Sequence, residues 1–128
     1  MDDMDAMDES KQEYATRSAI LRPIERRYRE AEIDGLGRIR IQSLSAREMD
    51  DYEFRSINRK TGRLDPAKAA EARRRLIALC LVDEHGKRMF SDHDLAAMGN
   101  IDGQIADQIY AACEEHVKGS TVEEAEKN

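Results

Sequence analysis

An alternating pattern interrupted by two glycines leaves this chain few ways to fold around residue 35. Ala31 and Ile33 alternate with glutamates, whereas Ile39 and Ile41 alternate with arginines. Asp34-Gly35-Leu36-Gly37 separates the two segments, and glycine accepts the positive φ angles that tight turns require. The pattern predicts a β-hairpin with its isoleucines on one face and opposite charges paired on the other. Two strands are not stable alone in water, so we expect helices to cover the apolar face, which gives an α+β, predominantly helical small domain.

Capping signals predict two helices after this hairpin. Ser45-Ala-Arg-Glu48 has the pattern of a capping box and predicts a helix over residues 46–58. Asp65-Pro66 predicts a helix over residues 67–81, because Asp caps the first turn and Pro is tolerated there. Residues 76–82 are apolar on all sides, and we expect them to be the most buried segment of the molecule.

Shorter signals organise the remaining segments. Asp83-Glu-His-Gly-Lys87 is a polar turn, which predicts a reversal of the chain and a small second hairpin. A second capping pattern at Ser91 predicts a short helix that Gly99 ends. Isoleucines spaced by four residues predict a second core helix over residues 101–117, ended by Gly119. Residues 14–24 are expected to form only a short helix, since a proline interrupts them.

The composition is typical of a single domain that has a small hydrophobic core and acidic ends. The chain has 128 residues, 40% of them apolar and 38% charged. We expect residues 1–13 to be a disordered acidic tail, residues 14–118 to be a single domain, and residues 119–128 to be an acidic C-terminal tail. The net charge of −6 and the 5% aromatic content disfavour nucleic-acid binding. We expect neither membrane association nor a signal peptide, because the chain has no long apolar run.

The residues that could carry chemistry have no matching spacing. The three histidines lie outside any metal-binding motif, and Cys80 and Cys113 fall within apolar helical patterns, where reduced, buried thiols are expected. No pair of carboxylates lies in apolar sequence, and Asp34–Gly37 lacks the context of a phosphate-binding loop. We predict that the protein is not an enzyme and has no catalytic residue, metal or cofactor. The arginines at 73–75 are expected to form a solvated helix face, with nucleic-acid contact as the alternative.

One apolar pair admits two interpretations. In the predicted 46–58 helix, Met49 and Tyr52 share a stripe, while Phe54 lies roughly 140° round from Met49 with Ile57 between. These side chains could pack against two neighbouring elements. Alternatively, Phe54 and Ile57 could form a protein-binding patch, because a small domain with few aromatic residues rarely exposes one without a role.

The ordered string R-L-x-A-L-x-x-V-D-E-x-G-x-R-x-F-S-D-x-D-x-x-x-x-G runs from Arg75 to Gly99. It resembles the tail assembly chaperones of long-tailed, siphovirus-type bacteriophages. The Gly-Leu-Gly hairpin and the terminal V-E-E-A-E-K-N extend the likeness over residues 30–128, although residues 100–104 depart from the usual charged helix start. The resemblance implies a non-enzymatic protein of the host bacterial cytoplasm, made during infection or from a prophage and absent from the mature virion.

The resemblance also implies specific partners. Such a chaperone keeps the tape-measure protein soluble and recruits tail-tube protein, the latter through a longer frameshifted product. Glu126-Lys127-Asn128 can be encoded by a slippery heptamer, so residues 119–128 are a candidate frameshift junction. Self-association is a further option. Two alternatives stay open: a structural tail or neck subunit retained in the virion, and a small DNA-associated regulator suggested by the arginine triplet.

Overall fold

The computed structural model describes residues 13–119, which form an α+β domain. Its strands are β1 (Tyr28–Ile33), β2 (Gly37–Gln42) and β3 (Leu81–Val82). Its α-helices are α1 (Arg17–Ile20), α2 (Ala46–Phe54), α3 (Pro66–Ala69), α4 (Ala72–Cys80), α5 (Leu95–Met98) and α6 (Gly103–Lys118), and a 3₁₀ turn at Asp92–Asp94 precedes α5. The predicted tails lie outside the described residues apart from their innermost residues, 13 and 119, and so does the candidate frameshift junction at 126–128.

The predicted hairpin is confirmed, and its isoleucines lie on the buried face. Ala31 pairs with Ile39 across β1 and β2, and φ is 83° at Gly35 in the turn and 120° at Gly37, the first residue of β2. Leu81 and Val82 then pair with β2, which makes a three-stranded antiparallel sheet in the order β1-β2-β3. This third strand replaces the end of the predicted 67–81 helix. The second reversal is present as a single bridge between Val82 and Arg88.

The first predicted helix is four residues too long. Its capping box forms as expected, since Ser45 Oγ accepts from the Glu48 N–H and the Glu48 carboxylate accepts from the Ser45 N–H. However, α2 ends at Phe54, and Ile57 instead pairs with Leu64 in an isolated antiparallel bridge. Hydrogen bonds within the following loop therefore replace the last helical turn that the sequence predicts.

The predicted 67–81 helix is divided into α3 and α4. The N–H groups of Ala70 and Glu71 both donate to the Lys68 carbonyl, which closes α3 as a tight turn. The same carbonyl accepts from Arg75 Nη1 at 2.7 Å. A side chain from α4 thus hydrogen-bonds to a carbonyl group of α3 that would accept a backbone N–H group in a continuous helix, and the helix is interrupted here.

The core lies between the sheet and helices α4, α5 and α6. As predicted, nearly every residue of the 76–82 segment is buried, and only Leu79 is partly exposed. Helix α6 packs on α4 and on the hairpin, and Cys113 from α6 joins Cys80 from α4 as a buried free thiol. The predicted burial of both cysteines is confirmed, and their reduced state stays a prediction. No helix between residues 13 and 119 is long and apolar enough to cross a membrane.

Candidate protein-binding surfaces

The first candidate surface is an apolar patch at the end of α2, formed by Phe54, Ile57 and Leu64 and called the Phe54 patch below. Phe54 is 64% exposed and Leu64 is 61% exposed, whereas Ile57 is partly buried. Phe54 and Ile57 line the same surface depression of about 840 Å³, and the bridge between Ile57 and Leu64 places the third side chain beside them. Phe54 therefore does not pack into the core, and the structure brings the two predicted site residues together.

The rim of this depression is basic, although the chain as a whole is acidic. Arg47, Arg59, Lys60 and Lys68 line it and are exposed. Three aspartates also line it, but two of them are engaged within the chain. Asp51 pairs with Arg55 at 2.5 Å, and Asp65 accepts hydrogen bonds from the first N–H groups of α3. The surface that surrounds Phe54 thus favours a partner carrying acidic side chains.

A buried arginine holds the patch in place. Arg75 is 2% exposed, and its Nη2 donates to Ser56 Oγ at 2.6 Å while its Nη1 donates to the Lys68 carbonyl. The Ser56 carbonyl in turn accepts from the Asp65 N–H at 2.7 Å. Burial, together with the nearby positive charge of Arg55, lowers the pKa of Arg75. One side chain therefore ties together both ends of the loop that carries Ile57 and Leu64.

The prediction that residues 73–75 form a solvated face is wrong for Arg75, and the whole triplet is engaged within the chain. Arg73 pairs with Asp107 and lies 5.6 Å from the centre of the Tyr110 ring. Arg74 Nη1 donates to the Leu95 carbonyl at 2.8 Å. Sequence reasoning missed these partners because they lie on α5 and α6, far away in the chain. The triplet that suggested DNA contact joins α4 to its neighbours.

The second candidate surface is an apolar groove of about 700 Å³ beside the sheet, here called the sheet groove. It lies between the hairpin, the turn after β3 and the first half of α6. Its apolar lining comprises Leu36, Ile39, Leu81, Val82, Met89, Phe90, Ile101, Ile105 and Ile109. Leu36 and Met89 are more than half exposed at its edges. One signal in the sequence could have indicated this groove, because both of these apolar residues lie in or close to a polar turn.

The third candidate surface is the segment of residues 13–24, here called the arm. Four of its apolar side chains are exposed: Tyr14, Ile20, Leu21 and Ile24. Within the predicted 14–24 helix, only Arg17–Ile20 is helical, with Thr16 Oγ1 accepting from the Ala19 N–H. The arm presents a large share of the exposed apolar surface of the described chain.

Two arginines attach the arm to the domain. Arg26 donates to both carboxylate oxygens of Glu48, at 2.5 and 2.9 Å, and to the Ser43 carbonyl. Arg27 exchanges hydrogen bonds with Ser43, and its carbonyl lies 2.9 Å from His116 Nε2 on α6. The arm is therefore fixed at its base, whereas its apolar side chains are free.

The groups that could carry chemistry are arranged for structural roles. Within residues 13–119, no three His, Cys, Asp or Glu side chains are placed to hold a metal ion. His85 and His93 are exposed, and the pKa of Cys113 is raised by its contact with Cys80 and by burial. The absence of enzymatic activity stays a prediction. Comparison with protein-family models, curated proteins and solved structures finds no match.

Proposed function

We propose that this chain is a tail assembly chaperone of a long-tailed bacteriophage, which binds the tape-measure protein and keeps it soluble. The resemblance over residues 75–99 supports this proposal, and those residues run from α4 through β3 to α5, with α4 and β3 supplying much of the buried core. The observation that carries it is the Phe54 patch, where a large aromatic side chain is 64% exposed beside Ile57. Such a surface is suited to binding another protein.

The chemistry of the patch indicates which face of a partner it would contact. A tape-measure protein is a long helical chain whose apolar stripes are exposed until the tail tube encloses it. Such a stripe would cover Phe54 and Ile57, and acidic side chains beside it would meet the cations of the rim, Arg47, Arg59, Lys60 and Lys68. The patch is small, so each contact is weak and reversible, and several copies can coat one long partner.

The proposal also specifies where the chain acts and which second protein it recruits. The chain acts in the host bacterial cytoplasm and does not remain in the mature virion. A longer frameshifted form recruits tail-tube protein to the coated tape-measure chain.

Co-expression with the long, helix-rich protein encoded just downstream tests this function. We expect the wild-type chain to keep that partner soluble and to be retained in several copies per partner chain. Phe54→Asp and Ile57→Asp should each lower retention by about tenfold or more, because loss of a buried anchor removes at least about 1.4 kcal/mol of binding. Ala97→Asp adds the same charge at an exposed position on α5, outside the patch, and serves as the control.

Two further measurements separate this proposal from its alternatives. Absence of rescue and of retention would contradict the chaperone function. Mass spectrometry that finds the chain in purified virions would instead favour a structural tail or neck subunit. Binding of duplex DNA that weakens steeply with salt would favour the DNA-associated regulator.

A further inference from the structure

The arm exposes apolar side chains that the rest of residues 13–119 leaves uncovered. Tyr14 is 96% exposed, Ile20 71%, Leu21 59% and Ile24 41%. Exposed apolar side chains are common singly, but four within eleven residues mark a contact surface. The arm is also not a loose end, because Arg26 and Arg27 anchor its base to the domain.

The sheet groove begins at the end of the sheet opposite the base of the arm. The arm joins β1 at Tyr28, which pairs with Gln42, whereas Leu36 of the groove lies in the hairpin turn. Six paired residues separate these two ends, which is about 20 Å of strand. An arm that occupied its own groove would have to run back along the sheet, and the exposure of its side chains shows that it does not.

The charges of the two surfaces are complementary. Arg17 and Arg22 flank the apolar centre of the arm, and both are exposed. At the edge of the groove, Asp83 and Glu84 lie side by side in the turn after β3. Backbone N–H groups of Lys87 and His85 donate to the Asp83 carboxylate and lower its pKa, so that this acid remains ionised. Asp83 is thus engaged within the chain, whereas Glu84, whose side chain is 86% exposed, can pair with an arginine of another copy.

The other charges around the groove are largely satisfied within the chain. Arg38 pairs with Glu30 at 3.4 Å. Arg40 donates to the Glu84 carbonyl at 2.8 Å and lies 4.3 Å from the centre of the Tyr28 ring. The lining of the groove therefore keeps a small negative charge, with three acids against two arginines, while Lys87 and Arg88 of the same turn lie outside it.

We propose that the arm of one copy binds in the sheet groove of a second copy, and that the exchange is reciprocal in a two-fold dimer. An antiparallel pair places each arm base beside the partner's hairpin turn, so both contacts form at once. The four arm side chains expose roughly 500 Å², taking about 150–200 Å² for a fully exposed large apolar side chain. Two arms and two grooves together bury on the order of 1,400 Å², which lies within the range of specific interfaces. This proposal does not depend on the proposed function.

The oligomeric state of the full chain alone tests the proposal. Sedimentation equilibrium should give twice the chain mass of 14.6 kDa for the wild type. Ile20→Asp in the arm and Met89→Asp in the groove should each give the mass of one chain. Both side chains are more than half exposed in the single chain, so neither change disturbs the core, and far-UV circular dichroism checks the fold. Ala97→Asp, which lies on neither surface, should remain dimeric.

Mixing the two variants gives a sharper test. The Ile20→Asp chain keeps an intact groove and the Met89→Asp chain keeps an intact arm, so the mixture regains one of the two contacts. We expect the average mass of the mixture to exceed that of either variant alone. A monomeric wild type, whether its arm is free or folded onto its own groove, would overturn the proposal. So would a dimer that survives Ile20→Asp. The tape-measure protein is absent from this experiment, so failure here leaves the proposed function standing, and the reverse also holds.

Discussion

Replacing Glu48 with glutamine should lower the free energy of unfolding by about 2 kcal/mol near neutral pH. Glu48 accepts both hydrogen bonds of the Arg26 guanidinium and a third from the Ser45 N–H. The hydrogen bond from Arg26, and then those from Ser45, lower the pKa of Glu48 from 4.5 to about 2. Glutamine can still accept from Ser45 in the capping box, so the substitution removes mainly the charge pair.

The magnitude follows from the lowered pKa and from exposure. A shift from 4.5 to about 2 corresponds to roughly 3.5 kcal/mol, at about 1.4 kcal/mol per pKa unit. However, 29% of the Arg26 side chain and 26% of the Glu48 side chain are exposed. Water screens part of the attraction, which reduces the expected loss to about 2 kcal/mol.

The pH dependence supplies the check on this reasoning. The pKa of Glu48 is lower in the folded state, so its stabilisation is complete above about pH 4.5 and is lost as the pH falls toward 2. Urea unfolding followed by circular dichroism should show a large difference between wild type and Glu48→Gln near neutral pH and a smaller one near pH 3. Glu53→Gln, an exposed position on the same helix, should change stability by less than about 0.5 kcal/mol. A difference between wild type and Glu48→Gln that stays constant across this pH range would refute the argument.

Three further predictions concern the fold. Gly86→Ala should lower the free energy of unfolding by about 1–2 kcal/mol in urea titrations, because Gly86 has φ of 83° and an added Cβ would lie 3.0 Å from the Tyr28 hydroxyl; an unchanged midpoint would contradict this. Cys80 and Cys113 should react with a thiol reagent only as fast as the domain unfolds, since both are fully buried; rapid native labelling of either would contradict the packing. Arg75→Lys should lower the free energy of unfolding by about 3 kcal/mol, and Arg75→Met should lower it less, because lysine keeps a buried charge without reaching both acceptors. The reverse order in urea unfolding would contradict this.

Much of the fold could be predicted from local sequence patterns. The alternation on either side of Gly35 predicted the hairpin and its buried face, because a shift of one residue would turn its isoleucines to water. Capping signals at Ser45 and Ser91 located helix starts, since each hydrogen bond lies within one turn of sequence. The failures concern long-range partners. The helix break before α4 depends on Arg75 reaching the Lys68 carbonyl, and the third strand depends on pairing with β2.

In the candidate sites, too, features formed by neighbours in the sequence could be predicted, and features formed by distant segments could not. Phe54 and Ile57 could be singled out because an aromatic residue off the buried stripe is visible in the sequence. The basic rim around them was not predicted, because it is assembled from α2, α3 and the loop between them. The sheet groove combines the hairpin, the β3 turn and α6, so no single stretch of sequence contains it. A surface can be predicted from sequence only as far as its residues are neighbours in the chain.

Helix α2 connects the two proposed surfaces physically. Glu48 near its start anchors the arm, and Phe54 ends it, so about 9 Å of helix separates the anchor of the arm from the Phe54 patch. A dimer joined through its arms would hold two Phe54 patches in one fixed arrangement. Two weak contacts to the same long helical partner would then act together, which raises the apparent affinity by about 10²–10⁴ without any new interaction. Each Phe54 patch can thus bind the partner weakly enough to release it, while the two patches of a dimer together retain the partner chain.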